Sequence, residues 1–581
     1  MIQACPRRGT NDSSAITSQA MRPFSKFLPL VAVASTVPLA AGQTLSILVA
    51  EGDTVPGVGT ITRVDGVSIA NDGSTLIEVD TDNADTDADS VMLRNGVLFL
   101  RENQALPAPA GATLGSFDGA SIGPGGETIF NQFLTGAVTT NDNSGIYFGD
   151  QLILREGDVS TSAAFSPGTT YRGFFDVKFS RNSDTALVVA SMDDPNIAST
   201  VDRALVRLVF NQVSGLWEES VLAKEGDLLP GQIEAVADFE TGAEESAANS
   251  QGLAIYTVDL LGDTSVDRAI YLQAGAAQTL LMQEGFSSPI PGRNWGSLAS
   301  VEVDLNTSGS WVAKANLDNS DTATDDVIVL NGDIIYRAGD SLPDIAPHTL
   351  SDFGGSVGVW VTDAGDVVWF GDWDDPDTSR DEGLFINDQL VLQEGVTIVD
   401  GETIIDLSDI TEQVHVSPSG RYIVVEGEFN DGTDRDAVIL IETGIGDNYC
   451  AAALNSAGLT GVISASGSDT AVDNNVVLTA SDLPPNQFGI FLTSLDQDFV
   501  PGLGGVSNGN LCLGGVIGRI NTIRNAGSGG TYSLALNLMA LPQGSGTMAA
   551  VAGDTWYFQS WHRDGVGFGS NLTNGVSVTF D

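Results

Sequence analysis

A phrase of the type Leu-x-x-Glu-Gly-Asp-x-x-Pro-Gly opens at Leu48 to Gly57 and returns in drifting forms around Glu102, Glu156, Glu225, Glu284, Ala338 and Glu394. Counted from Glu51, the copies lie 51, 54, 69, 59, 54 and 56 residues apart. That period suits a four-stranded β unit better than a helical repeat or a leucine-rich turn. The phrase occurs once more than there are complete units for it to close.

A second landmark, a tight turn after a short apolar strand, follows each phrase. The seven examples are Asn71-Asp72-Gly73, Pro124-Gly125-Gly126, Asn182-Ser183-Asp184, Asn249 to Gly252, Asn306 to Gly309, Asp363-Ala364-Gly365 and Ser417 to Gly420. An apolar run comes next, such as Thr75 to Val79 or Val367 to Phe370. A further tight turn, Asn95-Gly96 or Asn331-Gly332, then leads into the strand that ends in the phrase, and Asn-Gly between apolar runs is a strong hairpin signal. One unit is therefore four antiparallel strands.

The seventh unit stops after its third strand, Ala437 to Leu440, whereas Ser46 to Ala50 at the other end has no unit of its own. An unpaired sheet edge is an aggregation template, so the first strand is expected to complete the last unit. The expected fold is all-β: a seven-bladed β-propeller over residues 43–444 closed by an N-terminal strand, then a small β-sandwich or jelly roll over 448–581. In that second region Val476 to Ala480, Tyr532 to Leu538, Trp556 to Trp561 and Val576 to Phe580 read as short strands split by Gly, Pro and Asn turns.

The 581 residues carry 24 basic and 76 acidic side chains, a net charge of −52. Clustered Lys and Arg for phosphate neutralisation are lacking, so no nucleic-acid partner is expected. Acidic residues crowd the loops between the second and third strands of a unit: Asp80 to Asp89 in the first, Asp318 to Asp326 in the fifth, Asp372 to Glu382 in the sixth. Together with the carboxylates of the Glu-Gly-Asp phrases they are expected to give one face a large negative potential.

Residues 1–42 read as a secretory leader whose start is Met21: Arg22 and Lys26, then apolar Phe27 to Leu39, then Ala40-Ala41-Gly42. Removing residues 1–42 leaves 20 basic and 75 acidic residues and a single cysteine pair, Cys450 and Cys512. In an oxidising compartment these two are expected to join. The mature chain is expected to be secreted or cell-surface, with no membrane-spanning segment.

The Glu-Gly-Asp phrase with its Asn/Asp-Gly turns resembles an uncharacterised family of secreted bacterial β-propeller proteins. Tyr449-Cys450, Asn455-Ser456, Gly458, Ala465 to Ser468, Leu483 to Gly489 and Leu511 to Gly515 resemble a module recurrent in large exported bacterial proteins. The two resemblances imply fold and localisation and supply no catalytic residues.

No catalytic set is assigned, and the chain reads as a binding protein rather than an enzyme. His348, His415 and His562 fall in no spacing that suggests a metal pair or a Ser/His/Asp set. Asp80, Asp82, Asp85, Asp87 and Asp89 place oxygen donors at alternating positions, as calcium favours, although the glycine and the closing Glu of an EF-hand loop are missing. Trp373, set among Asp372, Asp374 and Asp375, reads as a loop residue able to stack on a sugar. The leading reading is a secreted or cell-surface binding and adhesion protein that presents an acidic propeller face to a glycan or protein. The alternatives are a polysaccharide-active hydrolase or lyase and a structural surface component.

Overall fold

The computed structural model describes residues 43–580 apart from 124–125, 181–183, 197–201, 212, 240–244, 299–301, 320–321, 355–356, 409, 431–433, 506, 528–529 and 566–568. The expected leader, with Met21, lies outside the described residues, as do Asn182, Ser183, Pro124, Gly125 and Asp321. Among the described residues the regular structure is β strand and short 3-10 turns, and no helix is long and apolar enough to cross a membrane.

Seven antiparallel sheets follow one another along the first three quarters of the chain. Sheet one contains Gly59–Ile69, Thr75–Thr81, Ser90–Arg94 and Val97–Arg101. Sheet two contains Ala112–Ile122, Thr128–Gly136, Ser144–Phe148 and Gln151–Arg155. Sheets three to six repeat this up-and-down order, beginning at Thr170, Val236, Val303 and Leu350. The middle strands are apolar on both faces because each sheet is covered twice. In Thr185–Asp193, Ala186, Val188 and Ala190 pack toward sheet two, whereas Leu187 and Val189 pack toward sheet four.

Seven apolar cores result, each between one sheet and the next. Leu76 and Met92 of sheet one meet Leu114, Phe130 and Tyr147 of sheet two. The succession closes on itself, because Val424 and Val438 of sheet seven share a core with Ile69, Ile77 and Val91 of sheet one. Sheets packed in a closed succession make a β-propeller. The closing strand is Thr44–Ala50, which pairs antiparallel with Asp434–Glu442, Ser46 facing Leu440 and Ala50 facing Ala437. It covers the edge that the seventh sheet would otherwise expose.

The repeated phrase is the corner by which the chain leaves one sheet for the next. Its middle residue is left-handed in every copy: Gly52, Asn103, Gly157, Gly226, Gly285, Gly339 and Gly395 have φ between 60° and 95°. Glycine serves there because it has no Cβ to clash at positive φ. The same N–H donates to the following strand, as in Gly52 to Ile61 O and Gly339 to Leu350 O, except that Gly285 donates to Trp295 O ahead of its strand. The Asp of the phrase turns back to accept the N–H three residues earlier, Asp53 from Ala50 at 3.0 Å and Asp340 from Arg337 at 2.9 Å. Glu102, Glu156, Glu225, Glu284 and Glu394 are buried, Glu51 half-buried, and they accept backbone N–H groups, Glu284 from Leu298 at 2.7 Å and Glu156 from Asn143 at 3.0 Å. These Glu carboxylates therefore do not add to an exposed acidic face, contrary to expectation.

The tight turns at the opposite end are stitched to one another. Asn249 Nδ2 donates to Asn306 O, Asn306 Nδ2 to Thr362 O, and the N–H of Asp363 to Pro418 O. The N–H of Ser419 then donates to Asn71 Oδ1 at 2.8 Å, joining the last turn to the first.

Beyond the last propeller strand, Asp447–Tyr449, Ser570–Thr579, Thr555–Arg563, Phe488–Ser494 and Gly518–Arg519 lie side by side in one sheet, and Val462–Ser466, Val477–Ser481 and Tyr532–Ala535 in another. Phe491, Trp556, Phe558 and Val576 of the first share an apolar core with Ile463, Leu478 and Leu534 of the second. The Cys450–Cys512 disulfide spans 62 residues of this region, with 6.1 Å between the Cα atoms.

Candidate functional site

The inner strands leave backbone N–H groups toward the propeller axis, and polar side chains of the preceding sheet accept them. Ser68 Oγ takes the N–H of Ile122, Ser121 Oγ that of Phe179, and Asp304 Oδ2 that of Val361. His415 holds the same place in sheet seven, its Nδ1 accepting from Ile69. These four residues border a cavity of about 550 Å³ that runs from the axis into the space among sheets one, two and seven.

Two β-bulges supply carboxylates to this cavity. The register of Gly59–Ile69 slips between Val64 and Gly66, and that of Ala112–Ile122 between Phe117 and Gly119. The unpaired extra residues are Asp65 and Asp118, and both line the cavity. A bulge re-aims a side chain in this way without ending the strand. Opposite the first bulge, Glu78 pairs with Gly66, where an added Cβ would meet only Glu412 O, at 3.8 Å. Glu412 reaches the same space from the turn before Val414–Val416. Among the described residues seven carboxylates, including Asp80, Glu102 and Asp304, line the cavity against two cations, Arg63 and Lys178.

Burial raises four of these groups, Asp65, Glu78, Glu102 and Asp118. Burial, with Asp65, Asp80 and Glu412 close by, pushes Glu78 up to about 8, although Ser90 Oγ donates to it at 3.4 Å. Burial and Glu412 push Asp118 up to about 6. Asp65 is raised by burial despite its ion pair with Arg63 at 2.6 Å. Glu78 is the group here that a nearby positive charge would drive to ionise near neutral pH.

The five aspartates singled out for calcium diverge. Asp80 faces the axial cavity, Asp82 accepts the N–H of Thr60 at 2.7 Å, and Asp85 accepts that of Asp87 at 3.3 Å within its own loop. Among the described residues no group of three or more His, Cys, Asp or Glu side chains is arranged to hold a metal ion.

Trp373 corrects the sequence reading. It ends the strand Val367–Trp373, is only 3% exposed, and packs edge-on against Phe385 at 6.1 Å in the core between sheets five and six. The strand runs further than its flanking aspartates suggest, because pairing of Trp373 with Leu350 holds it in the sheet. Asp375 beside it is buried and paired with Arg380 at 3.0 Å and His348 at 3.4 Å. His562 is buried in the C-terminal region, where burial pushes it down to about 4.

Asp65 and Asp118 carried no signal in the sequence, since nothing local marks a bulge, and Glu412 lies in a turn that no motif announces. Glu78 did carry one: a lone acid inside the apolar run Thr75 to Val79.

No family model matches this chain. No curated protein matches it either. Among solved structures it is similar to the β-propeller domain of the Trilobed protease from Pyrococcus furiosus, at 11% identity and a TM-score of 0.36, covering 65% of this chain and 95% of that one. A Trypanosoma rangeli sialidase in complex with sialic acid aligns at 12% identity and a TM-score of 0.29, covering 94% and 97%. The WD40 domain of SCAP from fission yeast aligns at 9% and 0.28, covering 92% and 98%. All three scores fall below 0.5, and no function is carried from these proteins to this chain.

Proposed function

We propose that this chain is a secreted or cell-surface binding protein whose site is the axial cavity and whose ligand presents an amine. The division behind this reading is a leader over 1–42, a seven-bladed propeller over 43–444 and a C-terminal β-sandwich over 448–581. The disulfide Cys450–Cys512 favours an oxidising compartment. The observation that carries the ligand class is the surplus of carboxylates around Glu78, which holds its proton up to about pH 8. An ammonium group entering the cavity relieves the mutual repulsion of Asp65, Asp80, Asp118 and Glu412 and lets Glu78 ionise.

The test is calorimetric titration with spermidine, a linear polyamine, against triethylene glycol as an uncharged control. Spermidine is expected to bind and the glycol not to. Replacing Glu78 and Asp118 together, Glu78→Gln with Asp118→Asn, is expected to weaken spermidine at least about tenfold, the worth of one charge-assisted contact. Equal binding by wild type and double variant contradicts the reading.

A second reading is favoured by the same proton on Glu78, which suits a general acid near neutral pH. It makes the protein a polysaccharide-active hydrolase or lyase. Release of reducing ends from extracellular polysaccharides, lost in Glu78→Gln, supports this reading over simple binding.

A further inference from the structure

A second cavity of about 550 Å³ lies away from the axis, between the outer strands of sheets one and two. Phe99 and Leu100 from sheet one, Leu106 and Pro107 from the connection, and Phe130 and Tyr147 from sheet two give it an apolar, aromatic wall, and Arg94, Glu127 and Asp150 also line it. Phe130 stacks on Tyr147 with ring centroids 6.4 Å apart and meets Phe99 edge-on at 6.2 Å. The volume falls within the ordinary range of small-molecule sites, about 300 to 1,000 Å³.

Into this lining Thr128–Gly136 places Thr128 at its start and Gln132 further along. Gln132 lies two residues beyond Phe130, so it shares Phe130's face of the strand. It is fully buried, and neither Oε1 nor Nε2 has a hydrogen-bond partner. Its cross-strand neighbours are Phe117 and Gly145, which have no polar side-chain atoms to offer. Two polar groups of the lining are committed elsewhere: the Tyr147 hydroxyl donates to Ala108 O at 2.7 Å, and Arg94 Nη2 donates to Gly126 O at 2.6 Å. A leucine of similar size would fill the position without leaving two polar atoms unsatisfied, each of which costs about 1 to 3 kcal/mol.

We propose that this cavity binds a small, uncharged, flat-ring ligand bearing a cis-amide, the lactam class, held by paired hydrogen bonds to Gln132. A primary amide offers one donor and one acceptor side by side. A lactam presents the complementary acceptor and donor on the edge of a ring, and the ring face suits Phe130, Tyr147 and Phe99. A charged ligand would have to give up water against Phe99, Phe130 and Tyr147, a cost that an uncharged ring does not carry. The inference is independent of the axial cavity.

The probe is 2-quinolone, a bicyclic lactam, with naphthalene as its ring-only counterpart, both followed by saturation-transfer NMR on the full chain. Wild type is expected to bind 2-quinolone at about 1 mM or below and to prefer it over naphthalene at least tenfold. Gln132→Leu is expected to lose that preference while keeping naphthalene, and to unfold at the same or a higher temperature. The proposal is overturned if 2-quinolone fails to bind, if Gln132→Leu binds both compounds as wild type does, or if Gln132→Leu unfolds at a lower temperature, which would mean that the amide is needed by the fold. The comparison of the two compounds on wild type stands even if the variant does not fold.

Discussion

The backbone N–H of Ile69 donates to Nδ1 of His415 at 3.2 Å, a bond between residues 346 positions apart that ties the first sheet to the seventh at the axis. The bond requires a lone pair on Nδ1, so the neutral ring carries its proton on Nε2. His415→Ala leaves the buried Ile69 amide without this acceptor and is expected to cost about 1 to 3 kcal/mol in denaturant unfolding. His415→Ser, which restores the residue type found at Ser68 and Ser121, should recover part of the loss.

Closure by the first strand predicts a steep penalty for disturbing it. Val49 is buried in the core shared by sheets seven and one. Val49→Asp places an unpaired charge there, at a cost of at least about 3 kcal/mol. Deleting residues 44–50 bares the edge of Asp434–Glu442 and should shift the protein to aggregates on size exclusion, whereas the exposed-loop change Asp85→Asn should leave the elution unchanged.

The buried carboxyls set the direction of the pH dependence. Glu78, Glu245 and Glu426 are each pushed up to about 8, chiefly by burial, from an ordinary value of 4.5. Between those two values the folded chain holds protons that the unfolded chain has lost, so raising pH favours unfolding. Their stabilisation is complete below the unfolded value and vanishes as pH climbs through about 8. Melting temperature should therefore fall from pH 5 to pH 8. Glu78→Gln, neutral at every pH, should gain more at pH 8 than at pH 5; a gain independent of pH would contradict the protonation of Glu78.

Reducing the Cys450–Cys512 bond should destabilise the C-terminal region. A closed loop of 62 residues is worth on the order of 4 kcal/mol in the chain-entropy estimate. Cys512→Ser combined with Cys450→Ser should lower that region's unfolding midpoint, read by fluorescence of the buried Trp556, and added reductant should have no further effect.

What the sequence made legible was local chemistry. Gly52, Gly157 and Gly339 announce corners because a left-handed residue between apolar runs has few alternatives. The seventh unit's missing strand pointed to its partner 46–50 because an open edge demands one, and Ser46 does face Leu440. Trp373 misled for the converse reason: its charged neighbours look like a loop, but pairing with Leu350 and packing on Phe385 outweigh them. Asp65 and Asp118 were invisible because a bulge depends on how two strands slip past each other, which no single-strand pattern records. Gln132 was equally silent, since its burial arises only when sheet one covers sheet two.

The proton balance of ligand binding is the decisive measurement for the axial cavity. Titrating spermidine at pH 7 in buffers of different ionisation enthalpy measures protons exchanged per ligand bound. A cavity whose Glu78 is pushed up to about 8 by burial and by its carboxylate neighbours must release protons when an ammonium group enters. Net release that disappears in Glu78→Gln is the predicted result. Binding with no proton release, or no binding at all, would contradict it.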